Sequence, residues 1–159
     1  MAQQPRWLDP TELRAWRGYL QMSWLVAAAI ERDLRRAGLS HPDYYVLVQL
    51  SESSERRMRM SDLASGIQWS KSRLSHHLDR MELRGLVSRE DCPSDARGAY
   101  ACLTPAGLRA IEDAAPGHVA SVRRHFIDAL TPDQLETLAE ISETVIAIHA
   151  GDAETGIAS

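Results

Sequence analysis

The sequence predicts a mainly α-helical protein that carries one small β-hairpin. Three observations support this fold class. Apolar residues recur at helical spacing near both ends of the chain, helix-capping residues precede several helical segments, and a turn-rich stretch, 90–98, separates two short strand-like segments. The chain has 159 residues, about the length of one domain, so we expect a single domain over residues 1–159.

The first helix is predicted from about Pro10 to Ala37, where Gly38 follows as a helix stop. Its heptad positions have the spacing of helices that pack along one another: Leu13, Trp16, Leu20, Ser23, Ala27, Ile30, Leu34 and Ala37. A second helix is predicted from about Pro42 to Ser53. A polar connector, 52–59, leads from it into the central part of the chain.

Two short helices joined by a tight turn are predicted between residues 61 and 85. Ser61 is expected to cap the first helix, and the turn runs through Gln68 and Trp69. Ser70 is expected to cap the second helix, which ends at Gly85. The apolar side chains on one face of this second helix anchor it: Leu74, Leu78 and Met81.

The other face of the second helix carries basic and hydroxyl side chains. Arginine can pair with guanine edges, and hydroxyl, amine and imidazole groups can bind phosphate oxygens. The predicted DNA contacts on the helix pair are Ser61, Ser70, Lys71, Ser72, Arg73, Ser75, His76, His77 and Arg80. The acidic residues Asp79 and Glu82 favour an ordinary solvated surface instead. The basic groups gather in the N-terminal half of the helix, which a recognition helix presents to bases.

A β-hairpin is predicted after the helix pair, with strands at about 86–89 and 99–103. Arg97 lies at the tip of the connecting loop, where it can enter a narrow minor groove. Residues 56–107 therefore predict a winged helix-turn-helix lobe. The net charge of the chain is −4, but residues 56–97 hold nine Lys and Arg against six Asp and Glu, a local excess of +3.

Two further helices are predicted after the hairpin. The first opens at Thr104-Pro105, breaks or kinks at Pro116-Gly117 and resumes to about Leu130. The second opens with a capping box from Thr131 to Gln134 and carries an apolar stripe: Leu135, Leu138, Ile141, Val145 and Ile148. We expect residues 10–37 and 118–150 to form a homodimer interface. The alternative is that these stripes pack within one chain.

The central segments together resemble the MarR family of winged-helix transcriptional regulators. The resemblance rests on the order and spacing of MSDLASGI (60–67), SKSRLSHHL (70–78), GLVSRE (85–90), DAR (95–97) and LTPAG (103–107). It implies that the helix after Ser70 enters a major groove, that Arg97 reaches a minor groove and that Asp95 steadies the wing, with Arg89 as the candidate partner. Arg89, Asp95 and Arg97 complete the predicted DNA-binding set. Gln68 departs from the family, which usually has glycine in this turn.

The resemblance also implies a mode of control. Dimers of the family bind pseudo-palindromic operators in double-stranded DNA, commonly as repressors, and release them when a small molecule binds beside the DNA-binding lobe. Candidate effector contacts are Trp16, Trp24, His41 and Tyr44, and the alternative for each is a place in the apolar core. A second hypothesis is redox control through Cys92, which we expect to be exposed in the wing. A third is a winged-helix protein-interaction module without DNA binding.

Other classes of function have little support in the sequence. We expect no enzyme, because no phosphate-binding loop, nucleophile elbow or metal-hydrolase motif occurs. His118 and His125 are seven residues apart and could share a helical face, but we expect no metal site and no cofactor. The chain has no apolar run that could span a membrane and no signal-peptide core. We therefore expect a cytoplasmic location and no membrane partner.

Overall fold

The computed structural model describes residues 5–92 and 98–155, the side chains of residues 150–155 excepted. Within these residues the chain forms six α-helices and a small antiparallel sheet, which confirms the predicted fold class. The chain divides into two compact units, Met1–Ser121 and Val122–Ser159. No helix in the described part of the chain is long and apolar enough to cross a membrane.

The first two helices begin at capping boxes. Helix α1 spans Pro10–Arg36, and the Asp9 side chain accepts hydrogen bonds from the amides of Thr11 and Glu12. Gly38 follows it with a φ of 76°, a left-handed conformation that glycine adopts without steric cost. Helix α2 spans His41–Glu52, and Ser40 and Asp43 form its capping box.

The central lobe consists of two helices and three strands. Helix α3 spans Met60–Gly66 and helix α4 spans Lys71–Leu83. Strands β1 (Arg57–Arg59), β2 (Val87–Asp91) and β3 (Ala99–Leu103) form a sheet in the order β1-β3-β2, and both pairings are antiparallel. The hairpin of β2 and β3 was predicted, whereas β1 lies in the segment interpreted as a connector.

Strand β1 could not be recognised locally because it has three residues, two of them arginine. It pairs with β3 in the register Arg57 to Cys102 and Arg59 to Tyr100. The guanidinium groups of Arg57 and Arg59 lie 4.9 and 5.8 Å from the centre of the Tyr100 ring, so cation–π contact supports the pairing. The strand exists because β3 offers a free edge, which is a tertiary condition.

The C-terminal helices correct one prediction. Helix α5 spans Pro105–His125 without interruption, a short 3₁₀ turn covers Ile127–Ala129, and helix α6 spans Pro132–Thr155. The prediction at Pro116-Gly117 was a break or a kink, and a break there is wrong because the helix continues through both residues. Proline removes one amide hydrogen, and the carbonyl that loses it belongs to Glu112, which is exposed and can bind water.

The core of the first unit lies between α2, α3, α4 and the sheet. Its completely buried side chains come from several elements: Val46, Leu47 and Leu50 of α2, Leu63 of α3, Leu74, Leu78 and Met81 of α4, and Ala101 of β3. Every apolar side chain on the inner face of α4 is therefore packed in the core. Its outer face is left to solvent.

Candidate nucleic-acid interface

The turn between α3 and α4 is held in a left-handed conformation. Gln68 has a φ of 56°, and its side-chain amide donates to the carbonyl of Ser65 over 3.1 Å. The next amide, that of Trp69, donates to the carbonyl of Ala64 over 2.8 Å. The family that the sequence resembles usually has glycine at the position of Gln68. The backbone of Gln68 therefore has the strain expected of a non-glycine residue in this conformation.

The two helix caps differ from each other. Ser70 caps α4 as predicted, because its hydroxyl accepts the Arg73 amide over 3.2 Å. Ser61 does not cap α3, which begins one residue earlier at Met60 with no side-chain cap. The Ser61 hydroxyl instead donates to Asp62 over 2.9 Å and remains exposed.

Most of the predicted contacts on the helix pair share the solvent-exposed side of the lobe. The exposed members are Ser61, Ser70, Lys71, Ser72, Arg73, His76 and Arg80, while Ser75 is half-buried. The first residues of α4 carry Lys71 and Arg73, and the N-terminal end of a helix also has a partial positive charge. This arrangement attracts phosphate.

His77 is a correction, because it is only 6% exposed and cannot lie on that surface. It belongs to the inner stripe of α4 together with Leu74, Leu78 and Met81, at spacings of three and four residues. Its Nε2 lies 3.0 Å from Oδ1 of Asp43, and its Nδ1 lies 2.9 Å from Nη2 of Arg80. The same spacing rule applied to the sequence would have placed it inside.

Asp43 is a site residue that the sequence analysis missed. Its carboxylate is 3% exposed and receives Nη1 of Arg84 at 2.7 Å and the Ser40 amide at 2.9 Å. Burial opposes ionisation of this carboxyl, but bonds from His77, Ser40 and Arg84 outweigh it and hold the pKa well below its usual range. Asp43 is therefore a buried carboxylate that joins α2 to α4.

Arg73 has a specific support in the turn. Its guanidinium lies 4.2 Å from the centre of the Trp69 ring, a cation–π contact that leaves the charged group exposed. The Trp69 ring in turn meets His77 edge to face, with centroids 5.3 Å apart. Trp69 was interpreted only as a turn residue.

Arg89 of β2 is half-buried and fastens the wing to α4. Its guanidinium donates to Asp79 and Glu82 over 2.7 Å each and to the carbonyl of Ser75 over 2.8 Å. These ion pairs account for the two acidic residues on an otherwise basic helix, since both carboxylates are partnered by Arg89. The predicted wing contacts Asp95 and Arg97 lie outside the described residues.

The cysteines do not form the exposed redox site that was expected. Cys92 is 4% exposed, so its predicted exposure is wrong. It closes the base of the wing, where its amide donates to the carbonyl of Gly98 over 2.9 Å. Cys102 is also buried, and burial, followed by the charge of Glu90, raises the pKa of its thiol. Buried thiols of raised pKa react slowly with oxidants.

Two of the four candidate effector residues lie near a third group, His118. The rings of Tyr44 and His118 have centroids 4.1 Å apart, and His41 packs against Tyr45 at 4.7 Å. Burial lowers the pKa of His118, and nearby His41 lowers it further. Burial also lowers the pKa of His41 and raises that of Tyr44. Burial therefore favours the uncharged form of each of these three rings.

The other two candidates, Trp16 and Trp24, are 51% and 68% exposed on α1. Trp16 stacks on Tyr19 with centroids 5.9 Å apart, and neither indole is buried in the core. Among the described residues, no group of three or more His, Cys, Asp or Glu side chains is arranged to hold a metal. His118, which was considered as a metal ligand with His125, packs on the Tyr44 ring.

Comparison with known proteins gives a consistent result. A model of the MarR family matches residues 39–98. AbsC, a MarR family transcriptional regulator from Streptomyces coelicolor, is 50% identical, with a TM-score of 0.88 over 92% of this chain and 99% of AbsC. Sco3205, a MarR family transcriptional regulator from the same organism, solved in complex with DNA, is 44% identical, with a TM-score of 0.86 over 91% of each chain. YkoM, an uncharacterized HTH-type transcriptional regulator from Bacillus subtilis (strain 168), is 26% identical over 107 residues, 67% of this chain and 68% of YkoM.

The helix pair, the sheet and the exposed basic face of α4 define a winged helix-turn-helix transcriptional regulator. The chain belongs to the MarR family. The resemblance drawn from the five sequence segments is thereby confirmed. MarR family transcriptional regulators are not enzymes, in agreement with the predicted class.

Proposed function

We propose that the protein is a homodimeric, sequence-specific DNA-binding regulator that inserts α4 into the major groove. One observation carries the proposal. The inner face of α4 is completely buried through Leu74, Leu78 and Met81, while Arg73 and Arg80 project from the exposed side. A helix anchored in this way presents its polar side chains at a fixed angle to a partner.

The charge and chemistry of the exposed side chains fit DNA. Arg73 and Arg80 can read base edges or bind phosphates, and the remaining predicted contacts are suited to phosphate: Ser61, Ser70, Lys71, Ser72, Ser75 and His76. Sco3205, which is 44% identical, was solved in complex with DNA, and this supports the same partner here. Arg97 and Asp95 belong to the proposed wing contact on sequence grounds.

Dimerisation is proposed from the apolar surfaces of α1 and α6. Trp24 and Leu25 of α1 are 68% and 65% exposed, and Ile141 and Val145 of α6 are 55% and 50% exposed. Contact with a second copy would remove such surfaces from water. A two-fold dimer would place two copies of α4 about one DNA turn, or about 34 Å, apart on a pseudo-palindromic operator.

We further propose that the regulator is a cytoplasmic repressor released by a small effector. A dimer seated on a promoter excludes polymerase, and a ligand that favours another spacing of the two α4 helices would release it. His41 and Tyr44 are the proposed contacts, because both lie at the start of α2, next to Asp43. Trp16 and Trp24 stay candidates on sequence grounds alone.

The test is binding to a labelled fragment of the DNA immediately upstream of the coding region, with random-sequence competitor and a salt titration. We expect two-fold protection that survives competitor. Arg73→Ala and Arg80→Ala should each weaken binding about 10-fold or more, and loss of a phosphate contact should lower the salt slope by about one unit. A loss confined to particular sequences would identify a base contact.

The matched control is Arg109→Ala, which removes an exposed arginine from α5, outside both the helix pair and the proposed dimer interface. It should leave affinity unchanged. Equal weakening by all three variants would mean that only overall charge matters and would contradict the assignment of α4. A folded dimer without specific binding to any DNA selected from a random library would favour the protein-interaction module.

A further inference from the structure

His77 is a polar ring in the middle of an otherwise apolar helix face. Its neighbours on the inner side of α4 are Leu74, Leu78 and Met81, which are completely buried. An imidazole costs free energy there unless both ring nitrogens have partners, whereas an aliphatic side chain would fill the space without that cost. Nδ1 of His77 is bonded to Arg80 over 2.9 Å, and Nε2 lies 3.0 Å from the Asp43 carboxylate, a close polar contact that is not aligned as a hydrogen bond.

The proton on the ring can be assigned from these partners. A guanidinium has hydrogen-bond donors and no acceptor, so Nη2 of Arg80, at 2.9 Å, must donate to an unprotonated Nδ1. The ring hydrogen then lies on Nε2, which faces Oδ1 of Asp43 at 3.0 Å. His77 is therefore a neutral ring. It connects a buried carboxylate to an exposed arginine and can hold that arginine in one orientation.

Asp43 is itself immobilised from two directions. At the N-terminus of α2 the Ser40 amide donates to the Asp43 carboxylate over 2.9 Å, and the Ser40 hydroxyl accepts from the backbone amide of Asp43 over 3.1 Å. Arg84, just beyond α4, donates to Asp43 and to the carbonyl of Gly38. The carboxylate thus has a fixed position, and it can hold the His77 ring in one orientation.

Two exposed arginines are connected to the His77 ring. Arg80 donates to Nδ1 of His77 and, over 3.3 Å, to the carbonyl of His76, so its guanidinium is held against its own helix. Arg73 lies on the face of Trp69, whose ring contacts His77 at a centroid distance of 5.3 Å. One support is direct and the other passes through Trp69.

We propose that His77 is a positioning residue for DNA recognition: held by Asp43, it orients Arg80 directly and Arg73 through Trp69. The inference rests on the proposed function, in which these two arginines contact DNA. Its physical basis is that a free arginine loses rotamer freedom when it binds, so an arginine already held in place binds at a lower entropic cost.

Two substitutions separate the two bonds of the ring. In His77→Gln the side-chain amide reaches the position of Nε2 and keeps the polar contact with Asp43, but the acceptor for Arg80 is lost. In His77→Asn the side-chain oxygen stands near the position of Nδ1 and can accept from Arg80. The probe is a labelled duplex that the wild-type protein selects from a random-sequence library.

We expect His77→Gln to weaken binding to this duplex about three- to tenfold, the cost of ordering one long side chain. His77→Asn should recover part of that loss. In an Arg80→Ala background, His77→Gln should have a much smaller effect, because the arginine that His77 orients directly is absent and only the indirect effect on Arg73 remains. Thermal unfolding of each variant, measured alongside, identifies the temperature range in which all are folded.

The outcomes distinguish the inference from the proposed function. If Arg80→Ala and Arg73→Ala leave affinity unchanged, the proposed contacts are wrong and the inference falls with them. If Arg80→Ala weakens binding while His77→Gln does not, or if the two effects add fully, only the positioning role is overturned. Should the His77 variants not fold, nitrogen-15 NMR of the wild-type imidazole decides: protonation at Nδ1 instead of Nε2 would overturn the proposal.

Discussion

At the scale of single residues, Gln68 shows how a local rule and a global requirement conflict. A left-handed φ of 56° is expensive for a side chain with a Cβ, and glycine would adopt it freely. Gln68 offsets part of that cost with its bond to the Ser65 carbonyl. The turn keeps its shape because α3 and α4 are both anchored in the core, so tertiary packing determines a conformation that the residue itself disfavours.

Asp43 carries a prediction at the same scale. Asp43→Asn should lower the free energy of unfolding by about 2 kcal/mol near neutral pH, since bonds from Arg84 and His77 to a charged acceptor are weakened. Asparagine can still accept at the α2 cap, so the helix start is preserved. Urea unfolding followed by circular dichroism measures the difference.

The pH dependence of that difference has a definite sign. The pKa of Asp43 is lowered in the folded state, so the stability from its ionisation is fully present above its unfolded pKa of about 3.9. That stability is lost as the pH falls further toward the folded-state pKa. The gap between wild type and Asp43→Asn should therefore be constant above about pH 5 and shrink in more acidic solution. A gap that does not change with pH would contradict the ionised state.

At the scale of elements, α5 combines one glycine that is required with one that is not. Gly107, in the first turn, is buried beside the Leu86 backbone, and a Cβ there would overlap the Leu86 carbonyl oxygen and lie 2.9 Å from Cδ1 of Leu103. Thr104 caps the same turn and bonds to the carbonyls of Gly85 and Leu86. The start of α5 is therefore seated directly on the end of the helix-turn-helix segment.

We predict that Gly107→Ala lowers the free energy of unfolding by about 2–3 kcal/mol, because the backbone must move to admit the methyl group. The matched control is Gly117→Ala in the same helix, where a Cβ meets no atom within 4 Å. It should raise stability by about 0.5–1 kcal/mol through helix propensity. Chemical denaturation of both variants tests this, and equal effects would contradict the close contact.

At the scale of the whole molecule, the apolar face of α6 predicts assembly. Val145→Asp replaces a half-exposed valine and places a charge between Ile141 and Ile148, which are 55% and 62% exposed. We expect the wild-type protein to sediment as a dimer and Val145→Asp to shift toward the monomer with weaker binding to palindromic DNA. Analytical ultracentrifugation across a concentration series measures this shift.

The control for assembly is Ala147→Asp, which adds the same charge on the opposite side of α6. It should leave the dimer intact. A monomeric wild-type protein, or equal dissociation of both variants, would contradict the proposed interface.

Local signals in the sequence were sufficient to predict several elements of this protein. Helical spacing and capping residues predicted α1, α2 and α4, turn chemistry predicted the hairpin, and the apolar stripe of α4 implied which of its faces is outside. These signals act over a few residues, within one turn of helix or one hairpin, and they need no partner from elsewhere in the chain.

The features that join distant segments could not be predicted locally, because they depend on the tertiary packing. Strand β1 forms only because β3 offers an edge, and Cys92 is buried by the folded base of the wing. His77 was predicted to contact DNA, but it is buried. Burial is possible because Asp43, on another helix, provides a charged partner. Asp43 and Arg84 are 41 positions apart, and no periodicity in the sequence predicts a hydrogen bond between them. Burial and pairing depend on which surfaces come together, and that depends on the packing of the whole lobe.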